Sequence, residues 1–213
     1  MKVADVHTRS LATSATLTGY YMPDTILPVD VVKVLQKAKI PFVLAGAHGI
    51  FGWMGVNEAR PTKDVDVIVA SRHHKKAVSA LLEAFPDLEP VESEVVTRLK
   101  LRDADDILID VMKPTQLYKL AFKYTHTVTM GKLRFRIPSL EMALAMKFGP
   151  KVSLNRDEAK KHQDIHDFIM MVRANAEIDL EQLAGLGDEV YPGVGGELLE
   201  LVRKVRAGEK LVL

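Results

Sequence analysis

Residues 43–69 read VLAGAHGIFGWMGVNEARPTKDVDVIV. The stretch opens on an apolar run, Val43 to Ala45, that stops at Gly46. A glycine-punctuated segment follows, then Arg60-Pro61-Thr62-Lys63, and the stretch closes on Asp64-Val65-Asp66-Val67-Ile68-Val69. The closing run alternates polar and apolar residues before giving way to β-branched ones, the pattern of a strand entering a core. Side chains two apart leave a strand on the same face, so Asp64 and Asp66 point the same way, with Cα atoms about 6.5–7 Å apart. Paired carboxylates repel and are costly to bury without a compensating charge. A divalent cation, a hard acid that takes oxygen ligands, supplies that charge.

Working outward, Ile40 to Ala45 reads as a buried strand preceded by a helix from Pro28, whose apolar face is Val31, Val32, Val34 and Leu35. Gly46, Gly49, Gly52 and Gly55 recur at a spacing of three. Over 47–55 they fit a short helix lying close to the sheet or to a ligand, or a partly looped segment. Residues 71–84 read as a helix with a basic start, and 94–101 as a half-exposed strand. In Ile107 to Met112, Asp110 is flanked by apolar residues on both sides. A lone buried carboxylate needs a partner, so Asp110 is the third acid for the Asp64–Asp66 pair. Residues 126–136 read as a hairpin, and the chain from Pro138 onward reads as helical. Residues 1–25, rich in Ser and Thr, fit a short edge strand or a loose arm.

The length of 213 residues, with 47% hydrophobic and 27% charged residues, is ordinary for a soluble globular protein. A net charge of +1 excludes strong global attraction to nucleic acid but leaves room for a local basic patch, such as Lys147, Lys151, Arg156, Lys160 and Lys161. With no cysteine, disulfides and thiolate chemistry are excluded, which fits a cytoplasmic protein. Neither a membrane span nor a secretory signal is expected. His162 and His166 have metal-compatible spacing but lack the HExxH glutamate, and are read as surface or packing residues. The glycine-rich loop at 192–196 lacks the Lys-Ser/Thr of a P-loop.

The order of strand, Gly46, glycine-rich helix, Arg60-x-Thr62-x-Asp64-x-Asp66 and then Asp110 resembles the nucleotidyltransferase superfamily, the fold of polymerase β. Within it, the chain looks most like minimal bacterial nucleotidyltransferase-like proteins, which include toxins of abortive-infection-type toxin–antitoxin pairs. A second resemblance covers 138–168, where Pro138-Ser139-Leu140-Glu141 through Lys147, then Arg156, then Asp164-Ile165-His166-Asp167, is similar to the helical tail of those proteins. The resemblance implies an α+β fold, with a mixed central sheet flanked by helices and a C-terminal helical region. The expected divisions are an N-terminal segment 1–27, a nucleotidyltransferase core 28–137 and a helical region 138–213.

It also implies a Mg²⁺-dependent enzyme that transfers NMP from an NTP to an acceptor hydroxyl on an RNA 3′ end such as that of tRNA, a protein, or a small molecule such as an aminoglycoside. Asp64, Asp66 and Asp110 would be the catalytic and metal-holding acids for two Mg²⁺ ions about 3.5–4 Å apart. Nucleotide-binding residues would be Gly46, Ala47 and His48 at a helix N-terminus, where N–H groups and the dipole favour phosphate. Arg60, Thr62, Lys63, Lys147 and Asp164 would join them. An antitoxin-like partner protein is expected for a toxin-type enzyme. Ala47 departs from the family, which prefers a second Gly or Ser there. The alternative expectation is therefore a catalytically degenerate nucleotide-binding or regulatory module of the same fold.

Overall fold

The structure, a computed structural model, describes residues 3–21, 25–114, 116–149 and 157–209. At its centre is a five-stranded sheet of β1 (Phe42–Leu44), β2 (Val65–Val69), β3 (Leu88–Glu92), β4 (Val96–Leu101) and β5 (Ile107–Met112), in spatial order β1-β2-β5-β4-β3. The β2–β5 pair is parallel and the other pairs are antiparallel, so the sheet is mixed. A separate hairpin joins β6 (Thr125–Met130) to β7 (Leu133–Pro138).

Alternation along β2 divides the core. Val65, Val67 and Val69 pack in the main cluster with Val31 and Leu35 of α2 (Pro28–Lys37) and with Ala77 and Leu81 of α4 (Ser71–Ala84). Ile68 turns to the other face. There it joins Val43, Ala45, Met142 and Ala145 of α6 (Leu140–Phe148), and Leu186 of α8 (Leu180–Val190). Helix α7 (Glu158–Ala174) packs on α6 and on α3 (Gly46–Met54), and α9 (Val194–Ala207) on α8 and α7. Local signals set the ends of these helices. Ser139 caps α6 by accepting from Met142 N–H, and Asp157 caps α7 by accepting from Lys160 N–H.

Three elements differ from the sequence expectation. The described residues of the N-terminal segment contain neither an edge strand nor a loose arm; they include helix α1 (Val3–Tyr21), laid against α3 (Gly46–Met54) and β6. Its inward face carries His7, Ser10, Ser14 and Thr18, all buried, beside Leu11. Gly52 makes this approach feasible, since a Cβ there would lie 1.6 Å from His7 Nδ1. The second element is β3, an unexpected strand containing Pro90, which is tolerated because β3 is an edge. Helix α5 (Gln116–Leu120) is shorter than the run from Thr115 to Tyr124 suggests.

Candidate active site

Asp66 and Asp110 occupy adjacent parallel strands and are direct register partners. They therefore leave the same face of the sheet side by side. Asp64 sits one residue before β2 and is aimed by its neighbour, the Thr62 hydroxyl donating to Asp64 Oδ1 at 3.1 Å. One ligand oxygen from each of the three carboxylates lies within 4.8 Å of the others. Gly46 closes in from the start of α3. Its φ is +57°, and a Cβ there would fall 1.7 Å from Asp66 Oδ2. Only glycine fits both constraints.

Burial pushes the Asp110 carboxyl up to about 6, and the nearby Asp64 charge adds to this, while Arg98 and Lys160 oppose it. Among the described residues, Asp110 Oδ1 is buried without a hydrogen-bond partner; Arg98 Nε, opposite it on β4, stands 3.9 Å away. A cluster of three carboxylates, one with an orphaned buried oxygen, fits a hard divalent cation.

The facing wall is cationic and comes from α6, α7 and the segment before β2. Lys147 Nζ lies 2.9 Å from Asp164 Oδ1 and 2.7 Å from Asp167 Oδ2. Burial opposes the Lys147 ammonium, but the Asp167 and Asp164 carboxylates outweigh it and hold its pKa above the usual lysine value. Arg60 Nη2 reaches the same Asp167 oxygen at 3.5 Å, and Gln163 Nε2 donates to Asp167 Oδ1 at 2.9 Å. Asp167 is fully buried.

These two walls enclose a cleft of about 400 Å³. Gly46, Ala47, Arg60, Thr62, Asp64, Asp66, Asp110, Lys147 and Asp164 all line it. Two of the expected nucleotide-binding residues, His48 and Lys63, are not among those lining the cleft. The His48 side chain points into the protein beside Phe51, and burial lowers its pKa to about 4. A helix N-terminus presents backbone N–H groups outward, whereas its third side chain here turns into the core. Lys63 lies at the surface, half-exposed and paired with Asp106 in the turn before β5. Lys151 and Arg156 of the expected basic patch fall outside the described residues. Lys160 lines the cleft and Lys161 pairs with Glu158.

Arg98, Tyr118 and Gln163 also line the cleft and Asp167 is its buried anchor, none of which the sequence pattern marks. Alternation over β4 puts Arg98 on the face of Val96, but its place opposite Asp110 follows only from the strand pairing.

No family model and no curated protein matches the sequence. Solved structures do match the fold. The crystal structure of an antigenic nucleotidyltransferase-like protein from Paracoccidioides brasiliensis superposes with a TM-score of 0.50 at 16% identity, covering 82% of this chain and 89% of that one. The solution structure of the antibiotic-resistance factor ANT(2'')-Ia superposes with a TM-score of 0.52 at 10% identity, covering 85% of this chain and 96% of that one. The fold is the nucleotidyltransferase fold. Among the described residues, no helix is long and apolar enough to cross a membrane.

Proposed function

We propose that the protein is a Mg²⁺-dependent nucleotidyltransferase that moves NMP from an NTP to an acceptor hydroxyl. The observation that carries this reading is the pairing, within one cleft, of the Asp64–Asp66–Asp110 cluster with a wall built on Lys147 and Arg60. Asp64, Asp66 and Asp110 would hold the cation, which when bound supplies charge neutralisation at the triphosphate and acidifies the acceptor hydroxyl. Lys147 and Arg60 present positive charge to phosphate oxygens. Asp167 holds both, so little reorganisation is needed as charge develops. The N–H groups at the start of α3 add a further anion-favouring edge. Asp110 would also help to take the acceptor proton. On this reading residues 28–137 supply the acidic side of the site and 138–213 most of the cationic side.

The acceptor is an RNA 3′ end, a protein side chain or a small molecule. One structural neighbour is an antibiotic-resistance factor, which keeps small molecules in the test set. Labelled NTPs incubated with cell extract should give a labelled product with the wild type and none with Asp64→Ala; equal labelling by both would overturn the reading. The toxin-type form, with a restraining partner, is supported by the likeness of residues 138–168 alone. Growth arrest on expression, relieved by Asp66→Ala, is its test.

A second reading, a nucleotide-binding module without chemistry, is favoured by Ala47, which lines the cleft at the position where the family prefers Gly or Ser. Calorimetry separates the two: tight NTP binding that needs Mg²⁺ favours the enzyme.

A further inference from the structure

The sheet fixes two of the three clustered carboxylates and leaves the third to other devices. Asp66 and Asp110 are register partners, whereas Asp64 has no register partner in either ladder that contains β2. Residues 59–63, which lead into it, lie outside every helix and strand. Hydroxyls from the N-terminal part of the chain hold this segment. Ser14 Oγ donates to the Arg60 carbonyl at 3.0 Å, and Thr25 Oγ1 to the Lys63 carbonyl at 2.6 Å. Between them, Thr18 grips Thr62 twice. Its Oγ1 accepts from Thr62 N–H at 3.2 Å and donates to the Thr62 carbonyl at 3.5 Å. The Thr62 hydroxyl then donates to Asp64 Oδ1 at 3.1 Å. Ser14, Thr18 and Thr62 are all buried, so each of these polar groups depends on its partner here rather than on water.

We infer that helix α1 is part of the active site: Thr18, acting through Thr62, is a positioning residue that sets the direction of the Asp64 carboxylate. The inference rests on the metal-site reading above and goes beyond it, because α1 lies outside the segments that resemble the family. The chemistry supports a role beyond packing. A helix that only covered α3 would bury aliphatic side chains at these positions. Here Ser14 and Thr18, one helical turn apart, meet backbone atoms of the one segment that aims a ligand carboxylate. A carboxylate held by a hydrogen-bonded neighbour loses metal affinity when that neighbour is removed, by about 10- to 100-fold.

The test compares Thr18→Val and Thr62→Val with the conservative Thr18→Ser and Thr62→Ser, all in the full chain. The readouts are Mn²⁺ affinity by calorimetry without nucleotide, and amide exchange at Thr62 by NMR. Thr18→Val should weaken Mn²⁺ binding about tenfold and speed exchange of the Thr62 amide. Thr62→Val should weaken it comparably, and the double variant should be no weaker than Thr62→Val alone. The serine variants should stay within about twofold of the wild type. Wild-type Mn²⁺ affinity in Thr18→Val, or valine effects that multiply, overturns the inference. Should Thr18→Val not fold, Ser14→Ala takes its place, and unchanged affinity there overturns the inference too. A wild type that binds no Mn²⁺ overturns the metal reading itself, and this inference with it; a wild type that binds Mn²⁺ while the variants match it overturns this inference alone.

Discussion

Asp66 and Asp110 stand directly opposite one another on two parallel strands, with the Asp64 carboxylate within 4.8 Å of both. Without a counter-ion the arrangement strains the folded state. The Asp110 pKa is raised from 3.8 to about 6, so its charged form is disfavoured by folding. Asp110→Asn should therefore raise stability in chelator-treated protein by about 1–3 kcal/mol, measured by urea denaturation at pH 7.5. The same variant should lower transfer activity about 10²- to 10³-fold.

Gly46→Ala should damage the site through geometry alone. The added Cβ would collide with Asp66 Oδ2, and the φ of +57° penalises any side chain. The expected cost is about 1–3 kcal/mol in unfolding free energy. Metal affinity should fall with it, as calorimetry with Mn²⁺ would show. A wild-type affinity in Gly46→Ala would mean that Asp66 is free to swing aside.

Asp167→Asn should be among the most destabilising charge changes in the chain. It removes the fully buried carboxylate that Lys147 and Arg60 share, leaving two cations without their common partner. Breaking a buried pair in this way costs about 3–5 kcal/mol. NTP affinity should also fall, because the two cations lose their fixed direction. Asp167→Glu should restore part of the stability.

The pH dependence of stability has a definite sign. Burial lowers the His7 pKa to about 3 and the His48 pKa to about 4, against 6.5 for a free imidazole. Both stay neutral in the folded protein and gain protons in the unfolded chain. Their stabilising contribution is complete above pH 6.5 and is lost as pH falls toward 4, at about 1.4 kcal/mol per pH unit for each group. Asp110 runs the other way, gaining stability as pH falls below 6, and offsets part of the loss. The denaturation midpoint should drop between pH 6.5 and 4.5, and His7→Asn should flatten that slope.

The sequence makes the acidic centre readable because each of its parts leaves a local mark. The two-residue alternation marks Asp64 and Asp66 as a pair, although Asp64 lies just before β2 and is held by Thr62, and the apolar flanks of Asp110 mark it as a buried acid in need of a partner. Lys147 and Asp164 were legible only through likeness to a known helical tail. Helix α1 was hidden because its buried stripe is His7, Ser10, Ser14 and Thr18; hydroxyls and imidazole carry the helical period that apolar residues usually announce. Strand β3 was masked by Pro90 and by its exposed side chains. Arg98 faces Asp110 through a strand pairing distant in sequence, and the inward turn of His48 depends on which face of α3 meets the core. Local chemistry could be read from residues close in sequence, whereas pairings between distant elements needed the fold.

The proposed site depends on a cation cage formed jointly by Asp64, Asp66 and Asp110. Its most direct test is calorimetric titration of Mn²⁺ into the wild type and into Asp64→Asn, Asp66→Asn and Asp110→Asn, with folding checked in each. Such a cage gives saturable binding in the wild type that every one of the three substitutions weakens at least about tenfold. Wild-type binding that survives the loss of Asp110 would contradict it.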